Sequence, residues 1–221
     1  MQNTSHAVMS QRSEPADSPD DFPTPPWATR ALFEHVLTPW TREFGQLTCL
    51  EPACGAGHMA RVLKEYFREV QSYDAFDYNY GKIRDFLTYP YETNAVDWVI
   101  TNPPFRLAED FVLRALSVAR TGVAILARTV FLESVGRYEN IFAKAPPAIF
   151  AQFVERVPMV KGRLDQRATT ATGYAWFVWN KKADGEPRLV WIPPCRRSLE
   201  RRTDYPGSSN MSNGRQSSLA S

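Results

Sequence analysis

Asn102-Pro103-Pro104-Phe105 constrains this chain more than any other stretch. It follows Ala95-Val96-Asp97-Trp98-Val99-Ile100-Thr101, a short apolar run rich in β-branched and aromatic residues. Such a run predicts a buried parallel strand. Two consecutive prolines end it, because neither can donate to a sheet ladder. They also hold the segment before Phe105 extended. In an open α/β sheet, ligands sit just past the carboxyl ends of strands. The Asn102 amide oxygen and the Pro103 carbonyl are both acceptors that stay unprotonated near neutral pH. Two such acceptors suit a planar –NH₂ group and concentrate electron density on its nitrogen. Phe105 adds a face for stacking a flat group, worth roughly 1–3 kcal/mol for a nucleobase. On these four residues alone, a Pro-Pro turn with an incidental Asn stays equally open.

The neighbouring segments decide. Leu47-Thr48-Cys49-Leu50-Glu51 reads as a first strand, followed by Pro52-Ala53-Cys54-Gly55-Ala56-Gly57. Met59, Val62, Leu63, Tyr66 and Phe67 then recur at helical spacing. Strand, Gly-x-Gly loop and helix together cradle nucleotides. The glycines let backbone approach a ligand, and a helix N-terminus offers free N–H groups. No Lys-Ser/Thr pair follows, which excludes a triphosphate-binding P-loop. Val70-Gln71-Ser72-Tyr73-Asp74 reads as a second strand, ending in a carboxylate where this type of fold places its ribose-hydroxyl acceptor. Asp77 competes for that role. Asp85-Phe86 combines an acceptor with a ring, suited to an adenine amino group and its face; a solvated Asp and a core Phe fit the same two letters. Upstream, Thr24 is placed to cap a helix starting at Pro25-Pro26.

Farther on, Phe111, Val112, Ala115, Leu116 and Ala119 mark an amphipathic helix over 109–119, and Val123 to Ala127 a buried strand. Alternating strands and helices imply parallel βαβ units. Ile149 to Val157 and Tyr174 to Trp179 have strand character with no helix between them, which suggests an antiparallel pair at the sheet edge. The basic segment from Arg156 to Arg167 reads equally as a phosphate-contacting or a solvated loop. Leu189-Val190-Trp191-Ile192 closes the strands. Polar composition predicts disordered tails over 1–20 and 193–221, leaving one domain over 21–192. A net charge of +2 is too small to argue nucleic-acid binding by itself. No run approaches the roughly 18 apolar residues of a membrane span. The N-terminus lacks a signal pattern. Three cysteines without metal or CxxC spacing fit reduced thiols in a cytoplasmic protein, and three scattered histidines suggest no metal site.

Taken in order, Thr24-Pro25-Pro26, Glu51-Pro52-Ala53-Cys54-Gly55-Ala56-Gly57, Asp74, Asp85-Phe86 and Asn102-Pro103-Pro104-Phe105 resemble the S-adenosylmethionine-dependent amino methyltransferases. Among these the chain looks most like the small phage- and prophage-type DNA adenine-N6 enzymes, over about residues 21–192. The resemblance implies a Rossmann-like class I methyltransferase fold, a mostly parallel sheet with helices on both faces. It implies that Thr24 with Pro25, and Glu51 through Gly57, embrace the methionine part of S-adenosyl-L-methionine. Asp74 would hold the ribose hydroxyls, and Asp85 with Phe86 the adenine. Asn102 and Pro103 would bind the target amine while Phe105 stacks on an extruded base, since N6 cannot be reached productively inside a duplex. The implied partner is nucleic acid, DNA first. RNA and protein-glutamine amino methylation share the Asn-Pro-Pro-aromatic loop, and a catalytically silent binding module is a further alternative. Neither the interval from the Gly loop to Asn102 nor the region beyond Trp179 has room for a separate target-recognition region, so recognition would fall to loops such as 132–147 and 156–172, come from a partner, or be of low specificity.

Overall fold

Side chains alternate between two cores along the central strands, as the two-residue period of a strand requires. Cys49, Trp98, Ile100, Ala124 and Leu126 enter one core, and Leu50, Val99, Val123 and Ile125 the other. A computed structural model describes residues 20–38, 43–183 and 185–205 of the 221. Among them eight strands form a single sheet: β1 (Thr48–Glu51), β2 (Glu69–Asp74), β3 (Lys82–Ile83), β4 (Val96–Thr101), β5 (Ala119–Arg128), β6 (Ile149–Phe153), β7 (Tyr174–Asn180) and β8 (Arg188–Ile192). Their spatial order is β3-β2-β1-β4-β5-β7-β6-β8.

Strands β3, β2, β1, β4 and β5 run parallel. β7 inserts antiparallel between β5 and β6. The antiparallel pairing expected for β6 and β7 is present, one strand inside the edge, because β8 pairs parallel to the outer side of β6. Helices α1 (Pro26–Leu32) and α2 (His58–Leu63) cover the first core through Trp27, Leu32, Met59 and Leu63. Helix α3 (Ala108–Val118) covers the second through Phe111, Val112 and Ala115. The indole N–H of Trp176 on β7 donates to the Ala28 carbonyl at 3.0 Å, which ties α1 to the sheet. No helix among the described residues is long and apolar enough to cross a membrane.

Two expectations change. Thr24 does not cap α1: Pro25 is the N-cap residue and no side chain caps the helix. The C-terminal tail does not begin at 193. Residues 193–205 pack on the domain, with a helical turn over Arg196–Leu199, because Arg30 demands partners. It sits on the buried helix α1 and is only 4% exposed. A buried guanidinium needs all its donors answered. Glu65 accepts from Nε and Nη2 at 3.1 and 2.8 Å, while Asp204 accepts from Nη1 and Nη2 at 2.8 and 2.9 Å. The Leu199 carbonyl accepts from Nη1. Burial works against the charge on Arg30, but its bonds to Asp204 and Glu65 outweigh that and hold its pKa above the ordinary value. Residues 1–19 and 206–221 lie outside the described residues, so the expectations for them are not addressed.

Candidate active site

The carboxyl ends of β1, β2 and β4 open on one cavity, roofed by the segment from Asp20 to Thr24. Thr24, Glu51, Pro52, Ala53, Cys54, Gly55, Asp74, Asp85, Phe86, Asn102 and Pro104 face it. The bend at Asn102 and the glycine turn, distant in sequence, therefore share one space. Pro25, Gly57, Pro103 and Phe105 do not line it. Pro25 and Pro103 are buried behind the surface. Gly57 is a structural glycine: its φ is +80°, and a Cβ there would fall 2.4 Å from the Tyr80 ring.

In sequence the turn after β1 reads as a nucleotide cradle with free N–H groups; in the fold several of those groups are bonded within the protein. Three of them, those of Cys54, Gly55 and Gly57, are taken by protein acceptors. Cys54 donates to the Tyr73 carbonyl at 2.9 Å, Gly55 to Asp74 Oδ2 at 2.9 Å, and Gly57 to the Cys54 carbonyl at 2.8 Å. Asp74 Oδ1 accepts from Phe76 N at 3.0 Å. Asp74 thus locks β2 to the glycine turn and still presents carboxylate lone pairs to the cavity. Phe86 is 1% exposed, with its ring against Phe111 at 5.1 Å and Tyr91 at 5.6 Å. It is part of the second core and also lines the cavity. Asp85 accepts from Leu87 N at 2.9 Å in a local turn.

The cavity is acidic. Asp20, Asp21, Glu51, Asp74 and Asp85 line it, with no Lys or Arg among the described residues. Glu51 is 2% exposed, and its Oε2 has no hydrogen-bond partner among the described residues. Burial, then the charge of Asp74, pushes the Glu51 carboxyl well above the usual carboxylate range. Burial also raises Asp74, and burial followed by the charges of Asp74 and Asp20 raises Asp21. Burial and the nearby Arg61 lower His58, keeping its imidazole neutral near pH 7. A ligand here must be cationic or rich in hydrogen-bond donors.

Asn102 has a fixed orientation. Its Nδ2 donates to the Phe22 carbonyl at 2.9 Å and to Thr24 Oγ1 at 3.1 Å, with Met159 Sδ at 3.7 Å. A carbonyl can only accept, so the amide cannot be turned the other way. Its Oδ1 is buried and has no partner among the described residues. Thr24, which sequence spacing assigned to a helix cap, instead aims this amide together with the Phe22 carbonyl.

Phe105 does not itself line the acidic cavity but packs against residues that do. Its N–H donates to Asp20 Oδ2 at 2.6 Å. Phe22 lies against its ring at a centroid distance of 5.1 Å, and the Arg128 guanidinium sits 3.9 Å from the ring centre. Sequence spacing gave no sign of Arg128 here. Its place follows from register, as the last residue of β5, beside the carboxyl end of β4 and opposite Tyr174.

The strand order, with one antiparallel strand inserted between β5 and β6, can be set beside solved structures. The chain is similar to the modification subunit of a candidate type I restriction enzyme from Vibrio vulnificus, with 16% identity, 87% of this chain and 51% of that one covered, and a TM-score of 0.54. A candidate RNA methyltransferase from Pyrococcus horikoshii matches at 15% identity, 72% and 86% coverage, and a TM-score of 0.52. A candidate class I S-adenosylmethionine-dependent methyltransferase from Listeria monocytogenes matches at 11% identity, 75% and 62% coverage, and a TM-score of 0.50. The fold is that of the class I methyltransferases. The chain spans 62% of the Listeria protein and 51% of the Vibrio subunit. No protein-family model matches the chain, and no curated protein matches it in sequence. In class I methyltransferase topology the acidic cavity lies at the carboxyl ends of the strands on either side of the β1–β4 switch in strand order.

Proposed function

We propose that this chain is an S-adenosylmethionine-dependent methyltransferase that modifies the N6 amine of adenine in nucleic acid, DNA first. One observation carries the reading. Asn102 Nδ2 is held by Phe22 and Thr24, which leaves Oδ1 as a buried acceptor, unpartnered among the described residues, on a side chain that lines an acidic cavity.

The cavity residues fit the cofactor. It carries an ammonium and a sulfonium, and its ribose offers two hydroxyl donors. Glu51, with an orphan carboxylate oxygen, suits the ammonium. Asp74, fixed at the end of β2, suits the ribose hydroxyls. Phosphate-bearing nucleotides fit poorly, because five carboxylates face the cavity and the N–H groups of Cys54, Gly55 and Gly57 are already bonded. When bound, S-adenosylmethionine supplies an electrophilic methyl group. Asn102 Oδ1 accepts one N–H of the target amine, raises electron density on nitrogen and orients its lone pair. The surplus proton becomes acidic only as nitrogen gains a substituent, so no base is needed before attack and the proton leaves to solvent afterwards. Phe105 supports the ring that bears the amine.

The test incubates the protein with methyl-labelled S-adenosylmethionine and separate DNA, RNA and protein pools, followed by digestion and mass spectrometry. Label in N6-methyladenine is the expected result. Label in methylglutamine would move the reading to protein substrates. Cofactor binding with transfer to none of the pools would favour a silent module.

A further inference from the structure

Charge is divided across Phe105. On one side lies the cavity with its five carboxylates. On the other, a cleft at the carboxyl ends of β5 and β6 is lined by Arg128, Gln152, Arg156, Thr172 and Gly173, with no acidic side chain among the described residues. Neither guanidinium forms an ion pair among the described residues. Arg128 Nε is buried and unpartnered. The Arg156 guanidinium lies over Gly173, where a Cβ would come within 3.4 Å of Nη1. Arg128 is half-buried and, among the described residues, answered only by the Tyr174 side chain and the Phe105 ring, while Arg156 is exposed to solvent, so both guanidiniums can receive an anion.

The Arg128 guanidinium is flat and cationic, and it covers Phe105 at 3.9 Å. A planar base stacking there needs the same space. Phe22 already holds another part of that ring's surroundings, so the guanidinium must leave before a base can enter.

We infer that Arg128 is a placeholder on Phe105: the target base displaces its guanidinium, which then joins Arg156 in binding the phosphodiester backbone of the strand carrying that base. This rests on the nucleic-acid reading above and adds to it the residues that select a phosphate-bearing strand. Arg128 therefore opposes a substrate that has a base but no phosphate, and favours one that has both. A flexible Arg suits both states, since its planar face stacks on aromatics and its fork binds phosphate.

The test compares adenosine with a ten-nucleotide single-stranded oligodeoxynucleotide containing one adenine, at saturating cofactor. Arg128→Ala should raise kcat/KM for adenosine by about threefold or more and lower it for the oligonucleotide by about tenfold. Arg156→Ala should weaken oligonucleotide binding, read by fluorescence anisotropy, and flatten its salt dependence by about 0.7 in the log–log slope for the lost phosphate contact. Cofactor affinity and melting temperature should hold in both variants, which separates these effects from misfolding. Arg128→Ala shifting both substrates in the same direction, or Arg156→Ala leaving the salt slope unchanged, would overturn the placeholder while leaving the methyltransferase reading intact. Wild-type failure to methylate any nucleic acid would overturn both.

Discussion

Asn102 Nδ2 lies 3.1 Å from Thr24 Oγ1, although 78 positions separate the two residues. That contact, with the Phe22 carbonyl, makes the Asn102 amide a one-directional acceptor. Thr24→Val keeps the shape and removes the bond. The amide then keeps only the Phe22 carbonyl and Met159 sulfur, and its orientation loosens. A neutral hydrogen bond contributes about 0.5–1.5 kcal/mol, so methyl transfer should slow roughly 2- to 10-fold. Thr24→Ser should restore most of the rate. Steady-state kinetics with a constant cofactor Kd checks this.

Glu51 should trade stability for binding. Its raised pKa means that the folded protein favours the neutral carboxyl. That contribution to stability is complete below the ordinary carboxylate range and is lost as pH rises through the raised value. Glu51→Gln should therefore raise the melting temperature of the ligand-free protein near neutral pH. It should also weaken cofactor binding roughly 10- to 100-fold, the scale of a charge-assisted bond of about 1.5–3 kcal/mol. In the wild type, cofactor affinity should fall as pH drops through the raised range of Glu51 and Asp74, at a higher pH than ordinary carboxylates would give. Calorimetric titration across pH reads both effects.

Parts of this architecture are legible in the sequence, and the reasons differ by element. The Trp98–Thr101 run, buried on both faces, could be nothing but a central strand, and the prolines after it could only end that strand. Met59, Leu63, Phe111 and Ala115 show helical faces because each helix covers one side of the sheet. Local spacing cannot reveal partners distant along the chain. Thr24 looks like a helix cap until Asn102 folds back onto it, and the Gly55 N–H looks free until Asp74 takes it. The arginines after 195 look like a solvated tail. The one sequence hint against that was Arg30, a lone charge among Trp27, Ala28, Ala31 and Leu32, which had to find acids somewhere.

Asp204 is the acid that closes that account for the C-terminal segment. Arg30 and Asp204 are 4% and 5% exposed in their side chains. Removing one partner of a buried pair destabilises by about 3–5 kcal/mol. Glu65 and the Leu199 carbonyl still hold Arg30, so Asp204→Ala should fall at or below the low end of that range. Ending the chain after Cys195 should destabilise further. Urea denaturation gives the comparison.

The cysteines should be inert while the chain is folded. Cys49, Cys54 and Cys195 are all buried. Burial first, then the charges of Glu51 and Asp74, pushes the Cys54 thiol up to about 12. Burial and Glu155 push Cys195 to about 12. At pH 8 almost no thiolate exists at either site, so iodoacetamide should label neither until denaturant is added. Mass spectrometry of the labelled protein reads the outcome.

The most direct measurement is N6-methyladenine in DNA from cells expressing the wild type or Asn102→Ala, with melting curves showing that both fold. Wild-type DNA should carry the modified base, and the variant should lower it by on the order of a hundredfold, the scale of losing one preorganised polar contact at a reacting centre. Equal N6-methyladenine from the two proteins would contradict the role of the Asn102 acceptor.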